Sequence, residues 1–273
     1  MVASTTDEPA SKRRGWRVPD WAFTLLGFVI VAAIWQFVAD VVVHTSLLFA
    51  SFTATMVELW RLLSSGDILP HLALSGQEFL YGYLGAVVFG VALGAAFASS
   101  RSLNLVFRHV VQAGYATPLV AIAPLIIVLF GIGMISKVIV VFALATFPIL
   151  IATQSALTSI DPDYRETAQA FGANRRQILQ KVIFPAASLG VLTGLRLAVG
   201  RGIIGVVIGE FFGSRGGLGF LLVQYSMAFR TARTMSVVLL LAVIGVTANQ
   251  ILLMIEARLS PWRTSKPDGG TVR

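Results

Sequence analysis

The sequence contains no cysteine, only three histidines, and charge on just 12% of its 273 residues. Without cysteine there is no disulfide framework, no thiolate nucleophile and no cysteine-ligated metal. His44, His71 and His109 are too scattered to form a ligand-spaced cluster. The shortage of charge excludes more. A soluble domain clothes its core with roughly 25% charged residues, and this chain has about half of that. No G-x-x-x-x-G-K-[ST] phosphate cradle occurs, so the chain does not supply ATP chemistry itself.

What is present is apolar: 56% of the residues are hydrophobic and the mean hydropathy is +0.81. About 20 apolar residues cross a 30 Å hydrocarbon core as a helix. Four windows meet this directly, at Phe79–Ser100, His109–Ser136, Val138–Ile160 and Thr234–Ile255, each bounded by charge. Trp21–Ala39 is a shorter fifth that stays apolar past Asp40 to Val43. Ala186–Gly213 is a sixth, burdened by Arg196, Arg201 and Glu210. The expectation is therefore an all-α membrane protein of six spans.

The net charge of +8 raises nucleic acid as a ligand, but the basic residues lie between apolar spans and not along one face. Their distribution sets an orientation instead. If the N-terminus is cytoplasmic, the inner segments hold Lys12, Arg13, Arg14 and Arg17, then Arg101 and Arg108, then Arg165, Arg175, Arg176 and Lys181, then Arg258, Arg263, Lys266 and Arg273. The outer segments hold Arg61, Lys137, Arg215, Arg230 and Arg233. Fourteen against five satisfies the positive-inside rule and predicts both termini in the cytoplasm. Residues 1–20 read as a disordered cytosolic tail and 263–273 as a second. A cleaved secretory signal is the rival reading of the N-terminus, but no small-x-small site closes the first apolar stretch, which reads as a retained span.

Ser51–Asp67 places Met56, Leu59, Trp60, Leu62 and Leu63 beside Glu58 and Arg61, as a short amphipathic helix at the outer interface would. In the second span Gly82, Ala86, Gly90, Gly94 and Ala98 recur every fourth residue, a flat stripe for close helix packing. Pro118 and Pro124 each remove a backbone donor from the third span and predict a kink or a broken helix beside a pathway. Gln112, Gln154, Asn249 and Gln250 are further polar residues within spans.

The longest inner segment, residues 158–187, carries helix punctuation. Asp161 before Pro162 is an N-cap with proline in the first turn, Gly172 stands where a left-handed residue ends that helix, and Asn174 caps the next. Tyr164, Ala168 and Phe171 share one apolar edge. Two short basic helices joined by a glycine turn have the outline of a helix-turn-helix DNA reader, yet both run directly into membrane spans, which keeps them out of a major groove.

Glu166-x-Ala168-x-x-x-Gly172, followed thirteen residues later by Pro185, resembles the EAA loop of ABC importer permeases, E-A-A-x-x-x-G with nine variable residues before I-x-L-P. Thr167, Val182 and Phe184 depart mildly from that pattern. The likeness extends from about Trp21 to Trp262 and is nearest to the nitrate, sulfonate and taurine group, through Pro118-x-x-Ala121-x-x-Pro124-Leu125, Phe130-Gly131-Ile132-Gly133, Gly194-Leu195-Arg196-Leu197-Ala198, Glu210 and Gly217-Leu218-Gly219. After His71 and Ser75 that group commonly carries arginine where this chain has Glu78, which implies a differently charged outer mouth.

The resemblance implies a type I importer permease of the MetI-like fold, residues 21–262, in a bacterial inner membrane. A second permease copy, two ATPase subunits beneath the loop at 158–187, and an extracytoplasmic substrate-binding protein would complete it. ATP and magnesium would sit on the ATPase, and this chain would bind no cofactor. Tyr164, Glu166, Ala168, Phe171, Gly172 and Pro185 would couple to the ATPase, and the cargo would be a small anion or a vitamin precursor. Arg201 and Glu210 lie nine residues apart, about 180° around a helix, so they do not pair with each other and each needs another partner. With Gln112 they are candidates for the translocation path. A self-sufficient secondary transporter using Arg201 and Glu210 as a relay, and a structural membrane protein, are the alternatives; no two-fold repeat of the span pattern supports the first.

Overall fold

The computed structural model describes residues 19–259, whose regular structure is all helical, with no strand among them. The two tails, with the basic residues of 12–17 and 263–273, lie outside the described residues. Five helices are long and apolar enough to cross a membrane, and a bent pair makes up to a sixth. In chain order, α1 is Asp20–Phe37, prolonged past Asp40 by a π-helical stretch at Val38–Val43. The short amphipathic helix is α2, Phe52–Ser65, capped by Ser51 and stopped at Gly66 with φ +78°. Next come α3 (Leu69–Ser99), α4 (Arg101–Ala116), α5 (Leu119–Phe130) and α6 (Met134–Thr158). The loop at 158–187 holds α7 (Pro162–Ala170) and α8 (Arg175–Ile178), and α9 (Phe184–Gly213), α10 (Leu218–Met227) and α11 (Thr231–Leu259) complete the described residues.

The core is α6 between α3 and α9. The small-residue stripe explains why α3 approaches so closely: a Cβ on Gly82 would stand 2.6 Å from the Cβ of Val141, and one on Gly90 would stand 2.8 Å from that of Ile149. On the other side Gly194 and Gly205 bring α9 equally close to Ala152 and Val141. Lipid tails are as apolar as leucine, so such dispersion contact is what holds spans together.

Three expectations about boundaries are corrected. The second span begins at Leu69, not Phe79, because Pro70 sits where its missing N–H costs nothing, and the added turns carry His71, Ser75 and Glu78. The third span is not one helix over His109–Ser136: α4 and α5 meet at 91°. Pro118 forces Thr117 out of the helical region, to ψ 133°, whereas Pro124 lies inside α5 without breaking it. At 16 and 12 residues the two pieces reach only ~24 Å and ~18 Å, short of a 30 Å core. The fifth span does not start at Ala186, since helix runs unbroken from Arg175 to Gly213 through a π-helical stretch at Leu179–Ile183. Pro185 offers no N–H, and Phe184 donates instead to the carbonyl of Leu179, five residues back.

Candidate functional site

Two sites emerge, one at each end of α6. Beyond the C-terminal end of α6, Asp161 accepts a 3.0 Å hydrogen bond from the Asp163 N–H and starts α7. The helix ends in a Schellman motif, with the Ala173 N–H donating to the Ala168 carbonyl and the Gly172 N–H to Gln169. Gly172 has φ +76° with open space around it, so only the backbone demands glycine there. Asn174 and Gln177 then exchange reciprocal bonds of 2.9 and 2.8 Å as a capping box. Nothing on α7 is buried. Phe171 is 88% exposed and Tyr164 63% exposed, outside any apolar span. Tyr164, Thr167, Ala168, Lys181, Val182 and Pro185 surround an open groove of about 540 Å³. The structure thus gathers Tyr164, Ala168 and Pro185, puts Phe171 and Gly172 at the adjoining tip, and leaves Glu166 exposed outside the groove lining.

At the N-terminal end of α6 a buried polar latch joins α3, α6, α9 and the start of α10. His71, Ser75 and Glu78 fall at i, i+4 and i+7 on one face of α3. The Ser75 hydroxyl donates to Glu210 at 2.6 Å and accepts from the Leu218 N–H at 2.8 Å. Glu210 also accepts from the Gly219 N–H, and His71 Nδ1 accepts from the Gly217 N–H at 2.9 Å. The first amides of α10, which no helical carbonyl can satisfy, therefore find a carboxylate and a hydroxyl. Lys137 Nζ donates to Glu78 and to the Ser214 hydroxyl, both at 2.7 Å. Glu78 and Glu210 are 0% and 1% exposed, and their carboxyl groups lie against each other. Gly217, at φ +106°, and Gly219 permit this, since a Cβ on Gly217 would stand 2.0 Å from Glu210 Oε1.

Two further expectations change here. Lys137 is not an outer-loop cation marking a span boundary but a buried residue in the first turn of α6. Glu78 does not recharge an outer mouth, because it is enclosed and neutralised by Lys137. The segment 217–219 is anchored by His71, Ser75 and Glu210. Sequence reasoning missed Lys137 and Ser214; the alignment of His71, Ser75 and Glu78 on one helical face was the available signal.

The remaining polar residues separate by side. Glu210 turns into the latch, while Arg201 is exposed on α9 with its guanidinium carbon 5.5 Å from the Tyr115 ring centroid. No relay connects them, as their opposite placement on the helix dictates. Arg196 pairs with Glu256 of α11 at 3.3 Å. Gln112 is exposed and lines a cleft between α4 and α6.

Residues 86–264 match the family of binding-protein-dependent transport system inner membrane components. A putative aliphatic sulfonates transport permease protein of Bacillus subtilis is 27% identical over 97% of this chain and 96% of its own length. A riboflavin transport system permease protein of Chloroflexus aurantiacus is 34% identical over 76% of this chain and 77% of its own. Among solved structures, a chain of the inward-facing MetNI methionine ABC transporter superposes with a TM-score of 0.57 at 21% identity, over 72% of this chain and 96% of that one. At that identity the likeness concerns the fold.

Proposed function

The chain belongs to the family of binding-protein-dependent transport system inner membrane components, and from that membership we propose how its two faces serve ATP-driven import. It is the permease subunit of an ABC importer, a transport component and not an enzyme, working with a separate ATPase and a substrate-binding protein. The proposal concerns residues. Tyr164, Glu166, Ala168, Phe171, Gly172 and Pro185 form the coupling surface for the ATPase, which carries ATP and magnesium. The observation that carries this is the 88% exposure of Phe171 at the tip of a capped helix outside the spans, where an apolar ring needs a partner surface.

A second copy of the chain supplies the other wall of the path. Arg201 in mid-span and Gln112 are exposed on one subunit, and a lipid-facing cation there costs at least ~2.5 kcal/mol, so a polar route between two copies is the favourable setting. Glu210 acts on that route from behind, by fixing α10, and both termini are cytoplasmic. The cargo is a small solute of the sulfonate, taurine, nitrate or vitamin-precursor kind; relatives are named for sulfonates, taurine, formylaminopyrimidine and riboflavin. In the coupling test, Gly172→Val inserts normally but loses uptake and ATPase retention, because a β-branched residue resists positive φ, while Gly172→Asn retains both. Wild-type uptake by Gly172→Val refutes the coupling turn.

A further inference from the structure

The cleft between α4 and the inner half of α6 has a volume of about 290 Å³. Its polar lining comes from Asn104, Arg108 and Gln112 on α4 and from Gln154, Ser155 and Thr158 on α6, with Val111 and Ile151 as the apolar part. On α4 these residues fall at i, i+4 and i+8 and keep within about 80° of arc, so one face of the helix is dedicated to the cleft. The internal bonds are few: Gln154 Nε2 donates to Asn104 Oδ1 at 3.0 Å and the Thr158 hydroxyl donates to the Gln154 carbonyl. That leaves the Arg108 guanidinium, the Asn104 and Gln112 amides and the Ser155 hydroxyl as available donors. No carboxylate lines the cleft, and among the described residues none pairs with Arg108.

A concavity with a cation and several neutral donors but no ionised acceptor is complementary to an anion, and its size suits a head group and not a large cofactor. Its place favours the same ligand. Thr158 is four residues ahead of α7, so the cleft opens beside the coupling loop, and α4 is an amphipathic helix with Arg101, Arg108 and His109 at the inner interface. Tyr115, on the same face of α4, holds Arg201 overhead, so a second cation without a carboxylate partner stands above the cleft.

We propose that the α4–α6 cleft binds a tetrahedral oxyanion group of the sulfonate or phosphate class, gripped by Arg108 and oriented by Gln112, Asn104 and Ser155. The proposal rests on the permease reading, which places this end of the bundle at the cytosol. Two sources share the chemistry, a free organic oxyanion arriving with or behind the cargo and the phosphate of an anionic lipid.

The permease, assembled with its ATPase in phosphatidylcholine nanodiscs, is tested with radiolabelled ethanesulfonate, and separately in discs containing phosphatidylglycerol, with lipid retention read by native mass spectrometry. For a free oxyanion, ethanesulfonate binds saturably, Arg108→Gln weakens it at least tenfold, Gln112→Leu weakens it less, Arg258→Gln leaves it unchanged, and phosphatidylglycerol does not displace it. For a lipid head group, phosphatidylglycerol is retained by the wild type, lost from Arg108→Gln, and displaces ethanesulfonate. Either pattern supports the site. Equal behaviour of the wild type and Arg108→Gln toward both probes, or binding of neither, overturns it. Normal membrane insertion and ATPase association in those samples would leave the permease reading standing, whereas their absence in the wild type would refute that reading itself.

Discussion

Replacing Lys137 by methionine isolates the electrostatic demand of the latch between α3, α6 and α9. The ammonium is 2.7 Å from Glu78 Oε1 with 6% of its side chain exposed, Glu78 is fully enclosed, and Glu210 is packed against it. Two carboxylates and one ammonium share a dry site. Methionine preserves the stem but removes the single cation, stranding two acids whose other donors are one hydroxyl and one backbone amide. Removing one partner of a buried pair typically costs about 3–5 kcal/mol. At 1.4 kcal/mol per factor of ten, that lowers the folding equilibrium constant by roughly two to three and a half orders of magnitude, a large part of a typical stability of about 5–15 kcal/mol. Glu78→Gln acts oppositely: it leaves one carboxylate and one ammonium, keeps an oxygen for Lys137, and should cost under about 1 kcal/mol. The double variant Lys137→Met/Glu78→Gln should recover most of the loss. Thermal unfolding and yield of the purified, lipid-reconstituted permease measure all four corners of the cycle. A Lys137→Met protein as stable as the wild type, or a Glu78→Gln protein as damaged as Lys137→Met, would refute the charge balance.

Gly217→Ala should lower the melting temperature and loosen the start of α10, because the new Cβ would stand 2.0 Å from Glu210 Oε1 at φ +106° and strain of this kind costs about 1–3 kcal/mol; an unchanged melting curve argues against the latch geometry. The cysteine-free sequence makes topology clean to read: a cysteine at Asp163 should react with an impermeant maleimide only from the cytoplasmic side, and labelling of intact cells would reverse the proposed orientation. Arg201→Ala should assemble with wild-type yield and impair uptake, since its contact in this subunit is one exposed ring, Tyr115; reduced assembly with normal specific uptake would make it a structural residue.

Features that depend on near neighbours were legible from the residues in order. The apolar windows, the caps at Asp161 and Asn174, the glycine turn at Gly172 and the small-residue stripe of α3 each follow from hydrogen bonding or side-chain period within a few turns; the structure contains the caps, the turn and the stripe, and keeps the windows with three of their boundaries moved. Even the break near Pro118 was legible as a fault, although its 91° angle was not, because a missing donor marks where a helix yields and neighbouring helices decide where it then goes. The latch belongs wholly to tertiary structure. Lys137 and Glu78 are 59 residues apart and Ser75 and Glu210 are 135 apart. In the sequence, Lys137 between two apolar runs looks like a loop cation, and Glu78 like the polar edge of a span. Only the close approach of α3, α6 and α9 through their glycines brings these charges together away from solvent. There pairing became compulsory, because an unpaired charge is unaffordable in a dry site and indifferent in water.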